Sequence, residues 1–388
     1  MKIPIKYNVR SLFVRKGTTF MTMASIAVVV LVFVGVFSLG VGLEQAFKAS
    51  GDPDTLLVLR DGARSETESA QPFSVYRDIA ALPGIVQSAD ARPLASGEVI
   101  ILQIFERGDG SESNLAVRGV SPTARSMRSG YRLVEGREFE PGKAEVIVGQ
   151  RLIGRFSNLG VGEQVTFGRV PFTVVGVFEA GGGGAESEVW GAITDISDAF
   201  NRPSYVSSIR LATTSPASAA TLTETIESDQ RWRMSVQTEA EYYAGQSSAN
   251  TGQFKALGLV LAVLMGFGAC FAAANTMYAQ IANRGREVGT LRALGFQRGT
   301  ILAAFLIEAA VLGLFGGLLG VLLALPLHGI SAGTTNFITF SEITFELALS
   351  PPVLAGGVML AVLTGIVGGL PPAWSASRRQ ITGLLRES

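Results

Sequence analysis

The chain has 388 residues, 47% hydrophobic and only 16% charged, with 32 basic and 32 acidic side chains and a formal net charge of +0. Soluble domains carry about 25% charged residues, so this deficit, with a mean hydropathy of +0.35, marks a membrane protein with one sizeable polar domain. The even charge balance argues against nucleic acid as a partner, because backbone binding needs a basic excess, and the single cysteine, Cys270, cannot close an intrachain disulfide.

In chain order, Lys2, Lys6, Arg10, Arg15 and Lys16 precede an apolar run from Phe20 to Leu43 with no acid among them. The run is too long for the apolar core of a signal peptide and no small-x-small cleavage site follows, so it reads as an uncleaved anchor. Three more stretches reach the roughly 20 residues that a bilayer core demands: Ala256 to Ile281, Ile301 to Leu327, and Val353 to Leu370. The loop after the second run carries Arg284, Arg286, Arg292 and Arg298, and the tail carries Arg378, Arg379 and Arg386. By the positive-inside rule both of these and the amphipathic N-terminus are cytoplasmic. The loop from His328 to Ser350 holds Glu342 and Glu346 but no Lys or Arg, which places it outside. An even number of spans then puts the long stretch from Glu44 to Lys255 outside as well. The expected topology is multi-pass, with both termini cytoplasmic.

That long stretch has the turn signals and strand patterning of a folded α+β domain over 44–240. "DTLLVLR", "FSVYRDIAAL" and "VQSADARPL" predict strand, helix, strand, and "VSSIRLATT", "SAATLTETIES" and "WRMSVQT" repeat the order. They predict two halves of one βαβ-type subdomain around a β-rich insertion over 105–202, with strands at "NLAVRGV", "EVIVGQ", "EQVTFG" and "FTVVGVFEA". "GGGGAE", Gly181 to Glu186, lacks the Gly-Lys-Ser/Thr of a phosphate-binding loop and reads as a flexible tip.

Chemistry-bearing residues are sparse. The lone histidine, His328, permits no His-based triad and no multi-histidine metal cluster, and reads as an interfacial polar residue. The acidic residues form no recognisable motif. Walker A is also missing, so if ATP drives this protein another chain binds it, and no catalytic, cofactor or metal residue is named in this one.

The segment "NRGREVGTLRALGFQRGT", Asn283 to Thr300, is the most informative. Val288, Leu291 and Leu294 recur at three-residue intervals among Arg286, Glu287, Arg292 and Arg298, which predicts an amphipathic helix over 284–295 with Gly295 as its C-cap. Such a helix either lies among lipid headgroups or docks a cytosolic partner. Asn283 to Gly320 resembles the signature of the FtsX-like permeases of ABC transporters, the group of the MacB exporter and the LolC and LolE lipoprotein-release subunits. The matching residues are Arg286, Glu287, Gly289, Leu291, Arg292, Ala293, Leu294 and Gly295, then Glu308-Ala309 and the glycine-rich Gly313 to Gly320. "NVRSLFVRKGTTFMTMASIAVVV" and "LPPAWSASRRQITGLLRES" resemble the two ends of that family, apart from the doubled Pro371-Pro372 and a missing proline near Gln380. The resemblance implies that 284–295 is a coupling helix seated in a groove of a cytosolic ABC ATPase of the LolD or MacB type. It further implies one membrane module over 241–388, a MacB-like outer domain, and transport by a pair of permeases with two nucleotide-binding chains.

Gly258, Ala262, Gly266, Cys270 and Ala274 place small residues every fourth position in the second span, a candidate homodimer seam or an intrachain packing face. Gly313-x-x-x-Gly317, Gly316-x-x-x-Gly320 and Gly365-x-x-x-Gly369 offer further close-approach faces. Glu308 lies inside the third span, where a carboxylate costs several kcal/mol unless paired. Pairing with Arg292 or Arg286, or protonation, is expected to relieve that cost, and Asn275 is expected to bond within the bundle. The fold class expected is therefore four transmembrane helices with a large α+β extracytoplasmic domain between the first two. The function expected is mechanotransmission of ATPase-driven motion to that domain for export or extraction. A second copy (homodimer or heterodimer), a periplasmic adaptor and the bilayer are the further partners. The alternative is a signalling permease that regulates an extracytoplasmic partner such as a cell-wall hydrolase.

Overall fold

A computed structural model describes residues 16–88, 90–128 and 130–378. The basic N-terminal readings through Arg15 and the tail from Arg379 lie outside the described residues. Contacts divide the chain into two compact units: one of 1–41, 253–330 and 347–388, the other of 42–252 and 331–346.

The first unit holds most of four long apolar helices: α1 (Lys16–Ser50), α5 (Glu239–Ala282), α7 (Arg298–Ala324) and α8 (Pro351–Arg378), all apolar enough to cross a bilayer. Three of the predicted spans lie inside them and the third, Ile301 to Leu327, closes with the 3-10 turn Leu325–Leu327 that follows α7, while α1 and α5 run well beyond their predicted spans. At 1.5 Å per residue their 35 and 44 residues extend roughly 52 and 66 Å, against a hydrocarbon layer of about 30 Å.

Glycine sets how closely these helices pack. A Cβ on Gly313 would lie 2.5 Å from the Ala361 carbonyl oxygen and one on Gly365 2.5 Å from that of Ala309, so α7 and α8 touch backbone to backbone. The interleaved glycines of α7 turn the other way: a Cβ on Gly320 would meet the Ala27 carbonyl oxygen of α1 at 2.6 Å. Two overlapping small-residue motifs thus serve two different neighbours.

The second unit is organised by a mixed sheet that has ten strands among the described residues. One half is antiparallel in the order β12 (Met234–Thr238), β1 (Thr55–Arg60), β11 (Ser208–Ala212), β3 (Ala95–Glu106). With α2 (Phe73–Ala80) and α4 (Pro216–Ser228) it makes the predicted split βαβ repeat. Strand alternation puts Leu56 and Val58 against Ile79, Leu222 and Ile226, while Leu57 and Leu59 face Tyr242 from the start of α5. One expected element is corrected: the described residues of "VQSADARPL" form only an isolated bridge, Gln87 to Pro93, and the second strand of the repeat is β3. The Asp and the proline in that stretch disfavour a ladder.

β3 is long enough to join both halves of the sheet. Its Ala95–Glu98 pair with β11, and Val99–Glu106 pair with β4 (Glu112–Val120). Beyond β4 the insertion continues through β9 (Glu188–Ala192), β6 (Glu145–Gly149), β8 (Val170–Ala180) and β5 (Tyr131–Gly136), with β7 (Gln164–Phe167) also on β8. α3 (Ile193–Ala199) covers it with Ile196 in a core of Val99, Val117, Val146, Phe167 and Val174. β2 (Gln71–Pro72) and β10 (Tyr205–Val206) form a small separate pair. The glycine segment Gly181 to Glu186 is a built turn, not a loose tip. The buried Glu186 carboxylate accepts from the N–H groups of Ala180 and Gly182 at 2.8 and 2.7 Å and pairs with Arg151.

The hairpin β13 (Ser331–Thr335) and β14 (Glu342–Glu346) also belongs to this unit, although it connects α7 to α8. The boundary expected at 240 falls within α5, and the unit extends to Gly252.

Candidate functional site

The arginine-rich segment folds as a separate short helix, α6 (Gly285–Ala293). Glu287 occupies its first turn and Arg292 its last, each complementing the helix dipole. Gly295 ends it at φ +93, with the Phe296 N–H bonded to the Leu291 carbonyl and the Gly295 N–H to that of Arg292. This is the double-bonded Schellman cap that only a residue at ease in left-handed backbone closes without strain.

The helix has a buried and an exposed face. Val288 packs with Met277, Ile281, Ile301, Phe305 and Ala373, and Gly289 is buried beside it. Leu291 and Arg292 are half-buried, while Arg286, Glu287, Thr290, Ala293 and Leu294 are exposed. Leu294 corrects the expected apolar stripe: it is 67% exposed, about 120° around the helix from Val288. Three-residue spacing advances 300° per step, so a residue six positions on has left the stripe.

Glu308 holds α6 in place. Its side chain is only 3% exposed in α7, and it accepts from Arg284 Nη1 at 3.0 Å. Arg284 also meets Glu287 at 3.5 Å. The partner is therefore neither Arg292 nor Arg286; Arg292 turns its Nη1 toward the Phe296 carbonyl at 3.4 Å, and Arg286 is exposed. Arg284 stands at the N-cap, directly before the helix, where its long side chain reaches the carboxylate.

Three residues of the small-residue series of α5, Gly258, Ala262 and Cys270, pack within the chain. A Cβ on Gly258 would strike the Phe37 ring at 2.7 Å, Ala262 is buried, and the Cys270 thiol approaches the Thr364 carbonyl at 3.5 Å. Ala274 is half-buried, and Gly266 faces open space in the Cβ direction. The exposed face of α5 is instead Leu257, Val260, Leu264, Phe267 and Phe271. Asn275 lies on the exposed side as well and not in the bundle.

The second unit contains a buried ionic cluster that sequence reading missed. Arg118 of β4 donates to Glu66 at 2.8 and 3.1 Å, to Glu98 of β3 at 2.9 Å, and through Nε and Nη2 to Glu188 of β9 at 2.7 and 2.8 Å. Arg210 of β11 pairs with Glu66, Glu98 and Glu239, the first residue of α5. Arg128 adds a bond to Glu98 at 2.9 Å. Burial pushes the Glu66 carboxyl up, but Arg118 and Arg210 more than offset this and hold it well below the usual range. Glu98 is lowered in the same way by Arg128, Arg210 and Arg118 against its burial. The cluster thus ties both halves of the sheet to the start of α5. Its members lie far apart in sequence with no shared spacing; the one available signal was Arg in the apolar strands "NLAVRGV" and "VSSIRLATT". No group of three or more His, Cys, Asp or Glu suited to a metal occurs among the described residues.

Comparison with known proteins agrees with this architecture. Residues 19–229 match the model of the MacB-like periplasmic core domain, and residues 259–381 that of the FtsX-like permease C-terminal domain. The chain is 25% identical to the pyoverdine export ATP-binding/permease protein PvdT of Pseudomonas entomophila over 95% of its own length and 57% of that protein. It is 26% identical to the macrolide export ATP-binding/permease protein MacB of Bdellovibrio bacteriovorus over 94% of its own length and 58% of that protein. It therefore spans less than two thirds of these relatives. Among solved structures, the periplasmic region of MacB from Actinobacillus actinomycetemcomitans aligns with 52% of this chain and 96% of that one, at 15% identity and a TM-score of 0.39.

Proposed function

The chain belongs to the MacB-type, FtsX-like permeases of ABC transporters, and on that premise we propose that it transmits ATPase-driven motion to its α+β domain to export or extract a substrate. The observation that carries this reading is the split character of α6. One face is locked by Val288, Gly289 and the Arg284–Glu308 pair, and the other presents Arg286, Glu287, Thr290, Ala293 and Leu294. A rigid short helix with a mixed charged and apolar exposed face suits docking in a protein groove. A headgroup-lying helix would keep its apolar residues together on one side, and Leu294 and Val288 are apart.

In this reading a cytosolic nucleotide-binding chain, of the kind fused in the MacB and PvdT relatives, binds ATP and Mg and pushes on α6. α1 and α5 supply the outward path, since Gly42–Ser50 and Glu239–Gly252 are helical and already count with the outer unit. Glu239 and Tyr242 connect that path to the sheet through Arg210 and through the Glu66 backbone N–H, which donates to the Tyr242 hydroxyl at 3.2 Å. The exposed apolar face of α5 meets lipid or a second copy. The matching orientation has both ends of the chain in the cytoplasm, with an adaptor or substrate handled on the far side.

Co-expression with the nucleotide-binding chain tests the reading. Permease in nanodiscs should bind that chain through α6 and change its ATP hydrolysis rate. A purified complex whose hydrolysis is the same with and without the permease would count against transmission.

A further inference from the structure

The connection between α7 and α8 is built into the outer unit more firmly than a linking loop requires. Glu342 of β14 has a side chain 1% exposed and receives two guanidiniums: Arg107 through Nε at 2.9 Å and Nη2 at 2.6 Å, and Arg155 through Nη2 at 2.7 Å. Both arginines belong to the insertion, and both are about three-quarters covered. Next along the strand, the Thr344 N–H donates to Ser187 Oγ at 2.9 Å, and its carbonyl accepts from Arg151 Nη1 at 3.0 Å. At the turn, the Asn336 amide donates to Gln246 Oε1 at 2.7 Å and accepts from Asn250 Nδ2 at 3.1 Å, both on α5. The hairpin therefore grips the insertion at one end and α5 at the other.

A short connection between two membrane helices needs none of these bonds to exist. A loop normally satisfies its backbone with water and varies freely. One carboxylate shared by two arginines is specific and charge-assisted, and removing it leaves two covered cations facing each other. We propose that this hairpin is a latch through which movement of α7 and α8 reaches the β-rich insertion, with Glu342 as its positioning residue. The proposal rests on the transmission reading and extends it: the outer unit is driven from the third and fourth spans as well as through α1 and α5.

The test uses full-length permease with its nucleotide-binding chain in nanodiscs, and follows backbone hydrogen exchange with and without ATP plus vanadate. Without nucleotide, Glu342→Gln should speed exchange across 331–346 by about tenfold or more, with little change in Val146, Ile147 and Val148 of β6. Glu346→Gln, at an exposed position of the same strand, should change nothing. With nucleotide, the wild-type complex should show altered exchange over 145–156, and Glu342→Gln should lose most of that response. A disulfide from Ser187→Cys with Thr344→Cys should restore the response in the Glu342→Gln background when oxidised and not when reduced.

Unchanged hairpin exchange in Glu342→Gln overturns the latch. So does a loosened hairpin with the nucleotide response intact, or failure of the oxidised disulfide to restore it. If Glu342→Gln does not fold, Arg155→Met, which removes one of the two guanidiniums, is read by the same criteria. A wild-type complex with no nucleotide response over 145–156 contradicts transmission itself, and the latch falls with it.

Discussion

Arg284 and Glu308 form a buried ion pair at 3.0 Å that joins the N-cap of α6 to the membrane helix α7. Twenty-four positions separate them, and neither would be functional alone: the carboxylate is too costly in a membrane span without a cation, and α6 is too short to be stable without a tertiary anchor.

Breaking that pair should be worse than deleting it. Glu308→Gln removes the buried carboxylate from the largely covered Arg284, at a cost of about 3–5 kcal/mol, whereas Glu308→Leu with Arg284→Met should recover most of the loss. Thermal unfolding of the purified permease measures this. The double variant should still fail to change partner ATPase activity if the brace aims α6.

Gly295 should tolerate substitution poorly. Its φ of +93 is left-handed, and an alanine there costs about 1–2 kcal/mol. Gly295→Ala should speed amide exchange at Leu294, Gly295 and Phe296, and Gly295→Asn, which enters that region more readily, should do so less.

Glycines in the helix bundle separate by what surrounds them. Gly320→Val would drive side-chain atoms into the Ala27 backbone, and overpacking of this kind costs about 1–3 kcal/mol or more. A Cβ on Gly266 meets no atom of the described residues within 4 Å beyond its own stretch of helix, so Gly266→Ala should leave monomer stability unchanged or raise it by up to about 1 kcal/mol. Loss of a dimer band on crosslinking of Gly266→Leu would place a second copy at that position; an unchanged band would place lipid there.

Acid should destabilise the second unit. Glu66 and Glu98 have carboxyls lowered by their arginines, so the folded state binds fewer protons than the unfolded chain. Their stabilisation is fully present above the unfolded value of about 4.3 and is lost as pH falls through the lower folded values. Urea unfolding of wild type against Glu98→Gln, from pH 7 down to pH 3, should show the wild-type advantage shrinking only below about pH 4.5. An advantage that shrinks between pH 7 and 5 would contradict this assignment.

How far the sequence could be read follows from how local each signal is. Four apolar runs and the glycine cap of α6 are encoded in contiguous residues, and the structure places them where they were expected. The half-repeats around β1, β11 and β12 were also legible, because short apolar runs bounded by turn residues, as in "DTLLVLR" and "VSSIRLATT", are short-range signals. Three features were not. Leu294 was assigned to the wrong face because three-residue spacing drifts around a helix. The partner of Glu308 depends on which arginine the chain turn delivers, and Arg284 lies outside the helix proper. The Arg118, Arg210, Glu66 and Glu98 cluster and the Glu342 latch are assembled from strands far apart in sequence, which no local pattern announces.

The exposed face of α6 tests the account most directly. Leu291 is half-buried and Glu287 meets Arg284 at 3.5 Å, so damage at either would mix packing with docking; Thr290 and Leu294 are exposed and stand outside the Arg284–Glu308 brace. Binding of the nucleotide-binding chain to permease in nanodiscs should weaken at least about tenfold in Thr290→Lys with Leu294→Asp, a loss of roughly 1.4 kcal/mol or more, with little change in thermal unfolding of the permease. Full binding and full ATPase response in that double variant would contradict α6 as the docking element.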